Sequence, residues 1–201
     1  MKAIFIPAKS RLNLDKIKEL NINEKVGLIT TVQYVDYLKE INKIIKKSVI
    51  GGQILGCNVD NAIKIKKKVD SYLYVGSGKF HPIEVAYKTD KKVYVFNPNT
   101  NEFSWIGKIE VDNYKNRKKG AYLRFLNAKK IGILVSIKHG QYNLDLALNL
   151  KKKLNKESYI FIGNEIKTDE LENFRDIDCW INTACPRIEG RNVINVEDLN
   201  F

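Results

Sequence analysis

The chain has few of the residues on which many extracellular and metal-binding proteins depend. Only three of its 201 residues are cysteine and two are histidine. An odd number of cysteines argues against a disulfide framework and favours a reducing compartment. No Cys-x-x-Cys or His-x-x-His spacing occurs, so the sequence does not support a zinc site.

Long hydrophobic runs are also missing. The apolar run in residues 1–7 is too short for a signal peptide, and no cleavage-like site follows it. No uncharged apolar run approaches the length of a membrane span. We therefore expect a cytoplasmic protein with no membrane partner. Because 44% of the residues are hydrophobic, the chain can bury a core as one large or two small domains.

Acidic residues are scarce in one quarter of the chain. The net charge is +12, and residues 108–156 hold 13 Lys or Arg against 3 Asp or Glu. Such a patch can dock an acidic partner or nucleic acid, or it can be an ordinary solvated lysine-rich face. No RNA-recognition signature accompanies it, which disfavours direct nucleic-acid binding. The docking interpretation assigns the contact to a predicted helix with Lys115, Arg117, Lys118 and Lys119.

Strand-like and helix-like segments alternate along the whole chain. This alternation predicts an α/β fold, with two Rossmann-like domains over residues 1–107 and 108–201 and mainly parallel sheets. The predicted strands are 2–8, 26–31, 49–55, 71–75, 93–96, 131–137, 159–162, 179–183 and 193–196. The predicted helices are 13–20, 33–47, 58–67, 82–86, 113–129, 143–154 and 168–174.

Four segments that follow predicted strands carry reactive or small residues. In parallel sheets such segments gather at the carboxyl ends of the strands, where ligands bind. Two of them present cysteines in similar contexts, and the others contain both histidines; the segments are 56–58, 76–82, 138–141 and 184–187. Two buried structural cysteines are the competing interpretation, because free cysteine is among the most buried residue types.

Five short motifs occur in one order along the chain and together resemble the diphthamide synthase family, the 2-(3-amino-3-carboxypropyl)histidine synthases. Each motif alone is weak, but the series covers essentially the whole chain and is specific. The motifs are Gly52-Gln53-Ile54-Leu55-Gly56-Cys57-Asn58, Gly76-Ser77-Gly78-Lys79-Phe80-His81-Pro82, Asn97-Pro98 with Phe103-Ser104-Trp105-Ile106, Val135-Ser136-Ile137-Lys138-His139-Gly140-Gln141, and Ala184-Cys185-Pro186-Arg187.

The resemblance implies a radical enzyme outside the usual Cys-x-x-x-Cys-x-x-Cys class. Members of the family have three α/β domains, each of which gives one cysteine to a central 4Fe-4S cluster. The cluster cleaves S-adenosylmethionine, and the resulting 3-amino-3-carboxypropyl radical attacks a histidine of translation elongation factor two. This is the first step of diphthamide synthesis.

The resemblance also assigns roles to residues of this chain. Cys57 and Cys185 match the second and third cluster cysteines of the family. Residues implied to line the S-adenosylmethionine pocket are Gln53, Gly76, Ser77, Gly78, His81, Lys138, Gly140 and Gln141; no catalytic side chain is implied. The remaining cysteine, Cys179, lies six extended residues before Cys185, about 20 Å away, and is predicted to be a core residue.

The chain departs from the family pattern at its start. Met1 falls where the second family domain begins, so the first domain and its cysteine are expected to come from elsewhere. One hypothesis is a split synthase with a separate N-terminal-domain subunit or a homologous chain. A second is a non-catalytic binding or electron-relay partner of a complete homologue. A third is a cluster-free α/β domain with buried cysteines.

Overall fold

The computed structural model describes residue 4, residues 6–55 and residues 58–199. It divides into two compact units, Met1–Tyr114 and Lys115–Phe201. Each unit contains one mainly parallel sheet, which confirms the predicted α/β class. The predicted functional domains, 1–107 and 108–201, remain a prediction.

The first unit is built on a five-stranded sheet in the order β2-β1-β3-β4-β5. Strands β1 to β4 are parallel, and β5 pairs with β4 in the antiparallel direction. The strands are β1 Val26–Thr30, β2 Ser48–Gln53, β3 Ser71–Val75, β4 Val93–Asn97 and β5 Glu102–Trp105. The helices are α1 Leu14–Lys18, α2 Leu38–Ile44, α3 Asp60–Ile65 and α4 Phe80–Thr89, followed by α5 Lys108–Asn127.

The second unit is built on a four-stranded, fully parallel sheet in the order β7-β6-β8-β9. This is the order of the first four strands of the other unit: the first strand lies between the second and the third. The strands are β6 Lys130–Ser136, β7 Glu157–Gly163, β8 Cys179–Asn182 and β9 Val193–Asn195, and α6 is Leu144–Lys153. No helix in the described part of the chain is both long and apolar enough to cross a bilayer.

The central strands of the first sheet are apolar on both faces. Every residue of β1 and β3 is buried, as expected for parallel strands covered on both sides. One core contains residues of α3 and α4, and another contains residues of α1 and α2. The helices after β1 and β3 therefore pack on opposite faces of the sheet.

A glycine of the first strand faces an aromatic residue of the third strand in both units. Gly27 pairs in register with Tyr72, and Gly132 pairs with Trp180. A Cβ atom on Gly27 would lie 2.7 Å from Tyr72 Cδ1, and one on Gly132 would lie 2.2 Å from Trp180 Cε3. In each sheet the ring occupies the space that a side chain of the first strand would fill.

The N-terminal strand prediction is wrong for the residues that can be described. Residues 4 and 6–8 are not in a strand, and Ile4 and Ile6 are 87% and 84% exposed. Residues 2, 3 and 5 of that prediction lie outside the described residues. An apolar run of this kind forms a strand only when a neighbouring strand pairs with it.

Three other elements differ from the predictions. The predicted helix 168–174 is a single 3-10 turn, Glu170–Asn173. Strand β5 was not predicted, because it is a short edge strand that follows the Asn-rich turn at 97–101. Helix α5 begins five residues earlier than predicted.

We predict that Gly132→Ala destabilises the second unit. The added methyl group overlaps the Trp180 ring, and overpacking of this kind costs about 1–3 kcal/mol. The matched control is Gly120→Ala in α5, where the nearest atom to the new Cβ is Arg124 Nη1 at 3.7 Å. Urea unfolding should give a lower midpoint for Gly132→Ala and an unchanged or higher one for Gly120→Ala. Equal midpoints would contradict the packing described here.

Candidate functional site

One buried threonine links the carboxyl ends of three strands in the first unit. The hydroxyl of Thr30 donates to the Val75 carbonyl at 2.6 Å, which joins β1 to β3. The Thr30 carbonyl accepts from the Ile54 amide at 2.8 Å, which joins β1 to the chain leaving β2. The segments after β2 and β3 therefore start from fixed points on the same edge of the sheet.

Backbone hydrogen bonds join Leu55 and Asn58 in the segment after β2. Leu55 and Asn58 exchange two backbone hydrogen bonds, of 2.9 and 3.2 Å. The two residues between them in the sequence, Gly56 and Cys57, lie outside the described residues, so the assignment of Cys57 to a cluster remains a prediction. Asn58 also accepts from the Asp60 amide at 3.0 Å and thereby starts α3.

A polar cavity of about 270 Å³ adjoins this segment. Its lining includes Gln53, which was predicted to contact S-adenosylmethionine. Asn61 on α3 donates to the Gln53 carbonyl at 2.6 Å, so the main chain at the end of β2 is fixed by a side chain. The lining residues are Gln53, Leu55, Asn58, Asp60, Asn61 and Lys64.

The glycine-containing loop at 76–79 connects β3 to α4 on the same edge. Gly78 has φ +76°, and open space surrounds the position of its absent Cβ. The Tyr74 hydroxyl donates to the Ser77 carbonyl at 3.3 Å, and the Tyr74 ring stacks with His81 at 6.0 Å between centroids. Burial, and then the nearby Tyr34, raise the pKa of Tyr74 to about 12.

Lys79, at the start of α4, forms an ion pair with Glu110. Lys79 lies 2.7 Å from Glu110, which also accepts from the Gly107 amide at 2.8 Å. The Lys79 hydrogen bond, and next the Gly107 amide, lower the pKa of Glu110. The first unit thus brings Gln53, Gly76, Ser77, Gly78 and His81 to one edge, as predicted from the parallel strand order.

The Cys185 loop of the second unit is held by two asparagines. Asn182, the last residue of β8 and 1% exposed, donates to the Cys185 carbonyl at 2.8 Å and accepts from the Ala184 amide at 3.0 Å. Asn195 on β9 donates to the Pro186 carbonyl at 3.0 Å, and its side-chain oxygen accepts from Asn182 at 2.7 Å. Cys185 itself is half-buried and forms no disulfide.

The predicted 138–141 loop lies beside the Cys185 loop. Asn143 donates to the Thr183 carbonyl at 2.8 Å, which ties the segment after β6 to the segment after β8. Gly140 has φ +78°, and the Gln141 amide donates to the Lys138 carbonyl at 3.0 Å. Lys138 forms an exposed ion pair with Glu165 at 3.1 Å. The second unit therefore brings Lys138, Gly140, Gln141 and Cys185 to one edge.

Cys179 belongs to the core, as predicted. It is fully buried and packs in the cluster that includes Phe125 and Ile181. Burial raises the pKa of the Cys179 thiol to about 11, so the thiol stays protonated near neutral pH. A protonated, buried thiol is not a metal ligand.

The two cysteine loops do not occupy equivalent places in the shared strand order. Cys185 follows β8, the third strand of its unit. Cys57 follows β2, the second strand of its unit. The similarity between the two stretches is therefore one of local sequence and not of position in the fold.

The residues that support the loops were missed by sequence reasoning. Thr30 and Thr183 are both buried at strand ends, and each hydroxyl donates to a carbonyl of the neighbouring central strand. Asn182 could have been recognised, because an asparagine two residues before a turn often caps its own backbone. Asn195 carries no such signal. Within residues 4, 6–55 and 58–199, no group of three or more His, Cys, Asp or Glu side chains could hold a metal ion.

The basic helix α5 differs from the predicted docking surface. Lys118 lies 2.7 Å from Asp198 and is only 13% exposed, and Arg117 lies 3.8 Å from Glu189. Lys115 and Lys119 are exposed. Two of the four residues proposed for docking are therefore paired with carboxylates of their own unit.

Comparison with known proteins gives the family. A family model for diphthamide synthesis proteins matches residues 1–193. The chain belongs to this family. The 2-(3-amino-3-carboxypropyl)histidine synthase of Pyrococcus horikoshii is 32% identical over 92% of this chain and 58% of its own length. The enzyme's subunit 1 from Schizosaccharomyces pombe is 26% identical over 94% of this chain and 48% of its own length.

Solved structures of the family have the same fold. The crystal structure of Dph2 from Pyrococcus horikoshii aligns with a TM-score of 0.77 at 27% identity, covering 94% of this chain and 62% of that one. A second crystal structure, of Dph2 with a 4Fe-4S cluster, aligns with a TM-score of 0.72 at 30% identity over 92% of this chain and 58% of that one. The chain thus spans from about half to about three fifths of the length of these relatives.

Proposed function

We propose that this chain forms part of a diphthamide synthase. In this reaction the 3-amino-3-carboxypropyl group of S-adenosylmethionine is transferred to a histidine of elongation factor two in the cytoplasm. The observation that carries the proposal is the Cys185 loop, where a half-buried free thiol is held in place by Asn182 and Asn195. The relative crystallised with a 4Fe-4S cluster supports it.

Cys57 and Cys185 are the proposed cluster ligands. Thiolates are the standard protein ligands of 4Fe-4S clusters, and the cluster supplies the electron that cleaves S-adenosylmethionine. The proposal takes its third ligand from a separate N-terminal-domain subunit or a homologous chain. The fission yeast relative is itself named as a subunit, which supports assembly from more than one chain.

Anaerobic reconstitution with iron and sulfide tests the ligand assignment. Cys57→Ala and Cys185→Ala should each retain much less iron than the wild type, because each removes one thiolate. Cys179→Ala is the matched control and should retain wild-type iron, because its thiol is buried in the core. Iron and sulfide analysis, with the visible absorption of the cluster, gives the readout.

Equal iron in all three variants would reject the assignment. The alternative function is a non-catalytic binding or electron-relay partner. It would be favoured if the chain retains iron but supports no transfer with any N-terminal-domain subunit.

The S-adenosylmethionine pocket is proposed to lie at the strand ends described above. Glycines allow the main chain to come close to a ligand, and the polar cavity beside Gln53 offers amide and carboxylate partners. The contributing residues are Gln53, Gly76, Ser77, Gly78, His81, Lys138, Gly140 and Gln141.

We predict that Gly78→Val weakens S-adenosylmethionine binding by about tenfold or more in the assembled enzyme. Gly78 adopts φ +76°, a conformation that costs a β-branched residue roughly 1–3 kcal/mol, so the loop would rearrange. Asp90→Val is the control, because Asp90 has φ 55° at the opposite end of α4. Equilibrium dialysis with labelled S-adenosylmethionine measures both affinities. Equal affinity in the wild type and Gly78→Val would remove this loop from the pocket.

Elongation factor two is proposed to contact the exposed lysines of α5. Lys115 and Lys119 are one helical turn apart, so they share a face of the helix. Charge complementarity with an acidic face of the factor would mainly raise the association rate, and salt would weaken it.

We predict that Lys115→Glu/Lys119→Glu slows association with elongation factor two several-fold at low salt, with iron content unchanged. Lys67→Glu/Lys68→Glu, in the first unit, makes the same change in net charge outside the basic quarter. Stopped-flow or surface-based kinetics over a range of salt concentrations compares the two variants. If both variants behave alike, the face of α5 is a solvated surface and the factor docks elsewhere.

A further inference from the structure

A second cavity lies in the second unit, at the edge opposite to Cys185. Its volume is about 490 Å³, within the usual range for small-ligand sites. It borders Ile177 and Trp180 at the start of β8 and Val193 at the start of β9. Cys185 follows the far end of β8, about 13 Å of strand away. The lining residues are Arg124, Thr168, Leu171, Glu172, Phe174, Arg175, Ile177, Trp180, Gly190, Arg191, Asn192 and Val193.

The basic residues that line the cavity are all arginines. Only six of the chain's 35 basic residues are arginine, and three of these six line the cavity, whereas no lysine does. Arg124 comes from α5, Arg175 follows the 3-10 turn, and Arg191 precedes β9. In so lysine-rich a chain, a general need for positive charge would be met mainly by lysine. Arginine differs in its planar fork, which binds two oxygens of a phosphate at once.

In the described part of the chain, the guanidinium groups of these three arginines form no hydrogen bond to a carboxylate. None of them takes part in an ion pair, whereas Arg117 on the same helix has Glu189 nearby. Glu172 is the single carboxylate of the lining, so cations outnumber anions three to one. Three arginines and one carboxylate give the lining a net positive charge, which favours a bound anion.

Apolar and aromatic residues form part of the remaining lining, beside the polar residues Thr168, Glu172 and Asn192. Trp180 is 3% exposed and packs against Phe161 and Phe174, whose ring centroids lie 4.7 and 5.8 Å away. Phe174 nevertheless remains 46% exposed, so part of its ring stays open to a ligand. The wall at Gly190 is tight, because a Cβ there would lie 2.9 Å from Val193 Cγ2.

We propose that this cavity binds a nucleotide. The arginines hold its phosphate, the base packs against Phe174, and Glu172 accepts from a ribose hydroxyl or an amino group. An inorganic anion would leave the exposed part of the Phe174 ring uncovered, and an uncharged apolar ligand would leave the arginines without an anion. The ligand is therefore distinct from the one proposed at the Cys185 edge, and its binding does not depend on a cluster.

Calorimetric titration of the cluster-free chain with AMP tests the proposal. AMP should bind saturably, and adenosine and inorganic phosphate should each bind more weakly, because each offers only part of the recognised chemistry. Arg175→Ala/Arg191→Ala should weaken AMP binding by about tenfold or more, because charged hydrogen bonds are lost. Arg191→Lys should weaken it too, since lysine keeps the charge and loses the fork. Lys151→Ala/Lys152→Ala, in the last turn of α6, is the charge-matched control and should bind like the wild type.

Thermal unfolding of each variant shows that a lost affinity does not come from a lost fold. The proposal is overturned if the wild type is not saturated by AMP below about 10 mM. A dissociation constant above that concentration corresponds to a binding free energy weaker than roughly 3 kcal/mol. It is also overturned if phosphate binds as tightly as AMP, or if the lysine control loses as much affinity as the arginine variant. A single-stranded RNA hexamer is then tested in competition with AMP. If the hexamer displaces AMP at a lower concentration and does not bind the Arg175→Ala/Arg191→Ala variant, the nucleotide is part of an RNA. Otherwise the ligand is the free nucleotide.

Discussion

The close pairing of the first and third strands is the constraint on which each unit depends. In each sheet a glycine of the first strand leaves room for an aromatic ring of the third strand, Tyr72 in one unit and Trp180 in the other. The ring therefore lies over the neighbouring strand. In the first unit the chain leaves β1 and β3 toward opposite faces, which opens a crevice at their carboxyl ends. The hydroxyl of buried Thr30 joins the ends of β1 and β3, and in the second unit the hydroxyl of Thr183, just after β8, bonds to β6.

The positions of the loops could be predicted from the sequence more fully than the hydrogen bonds that hold the loops in place. Alternating strands and helices imply a parallel sheet, and a parallel sheet puts every loop after a strand on one edge. That reasoning needs no tertiary contact, so it found the loops of Gly78, Gly140 and Cys185. The hydrogen bonds from Asn182 and Asn195 join strands that are 13 residues apart in the chain. Local patterns carry no information about such contacts.

Other features could not be read from the sequence because they depend on partners. The run at Ile4 and Ile6 has strand-like residues but no neighbouring strand among the described residues, whereas β5 is only four residues long but gains β4 as a neighbour. Charge behaves in the same way. A count of lysines and arginines gave the basic quarter, but it did not show that Lys118 pairs with Asp198 or that three arginines line one cavity.

The asparagine pair beside Cys185 has a consequence for how the protein matures. Asn195 lies on β9, which the ribosome synthesises after Cys185, and its side chain fixes both Asn182 and the Pro186 carbonyl. The thiol loop therefore cannot reach its final shape on the nascent chain until β9 has emerged and paired with β8. If Cys185 is a cluster ligand, as proposed, iron delivered earlier would meet a loop that lacks its Asn195 hydrogen bonds, and cluster loading would follow completion of this unit.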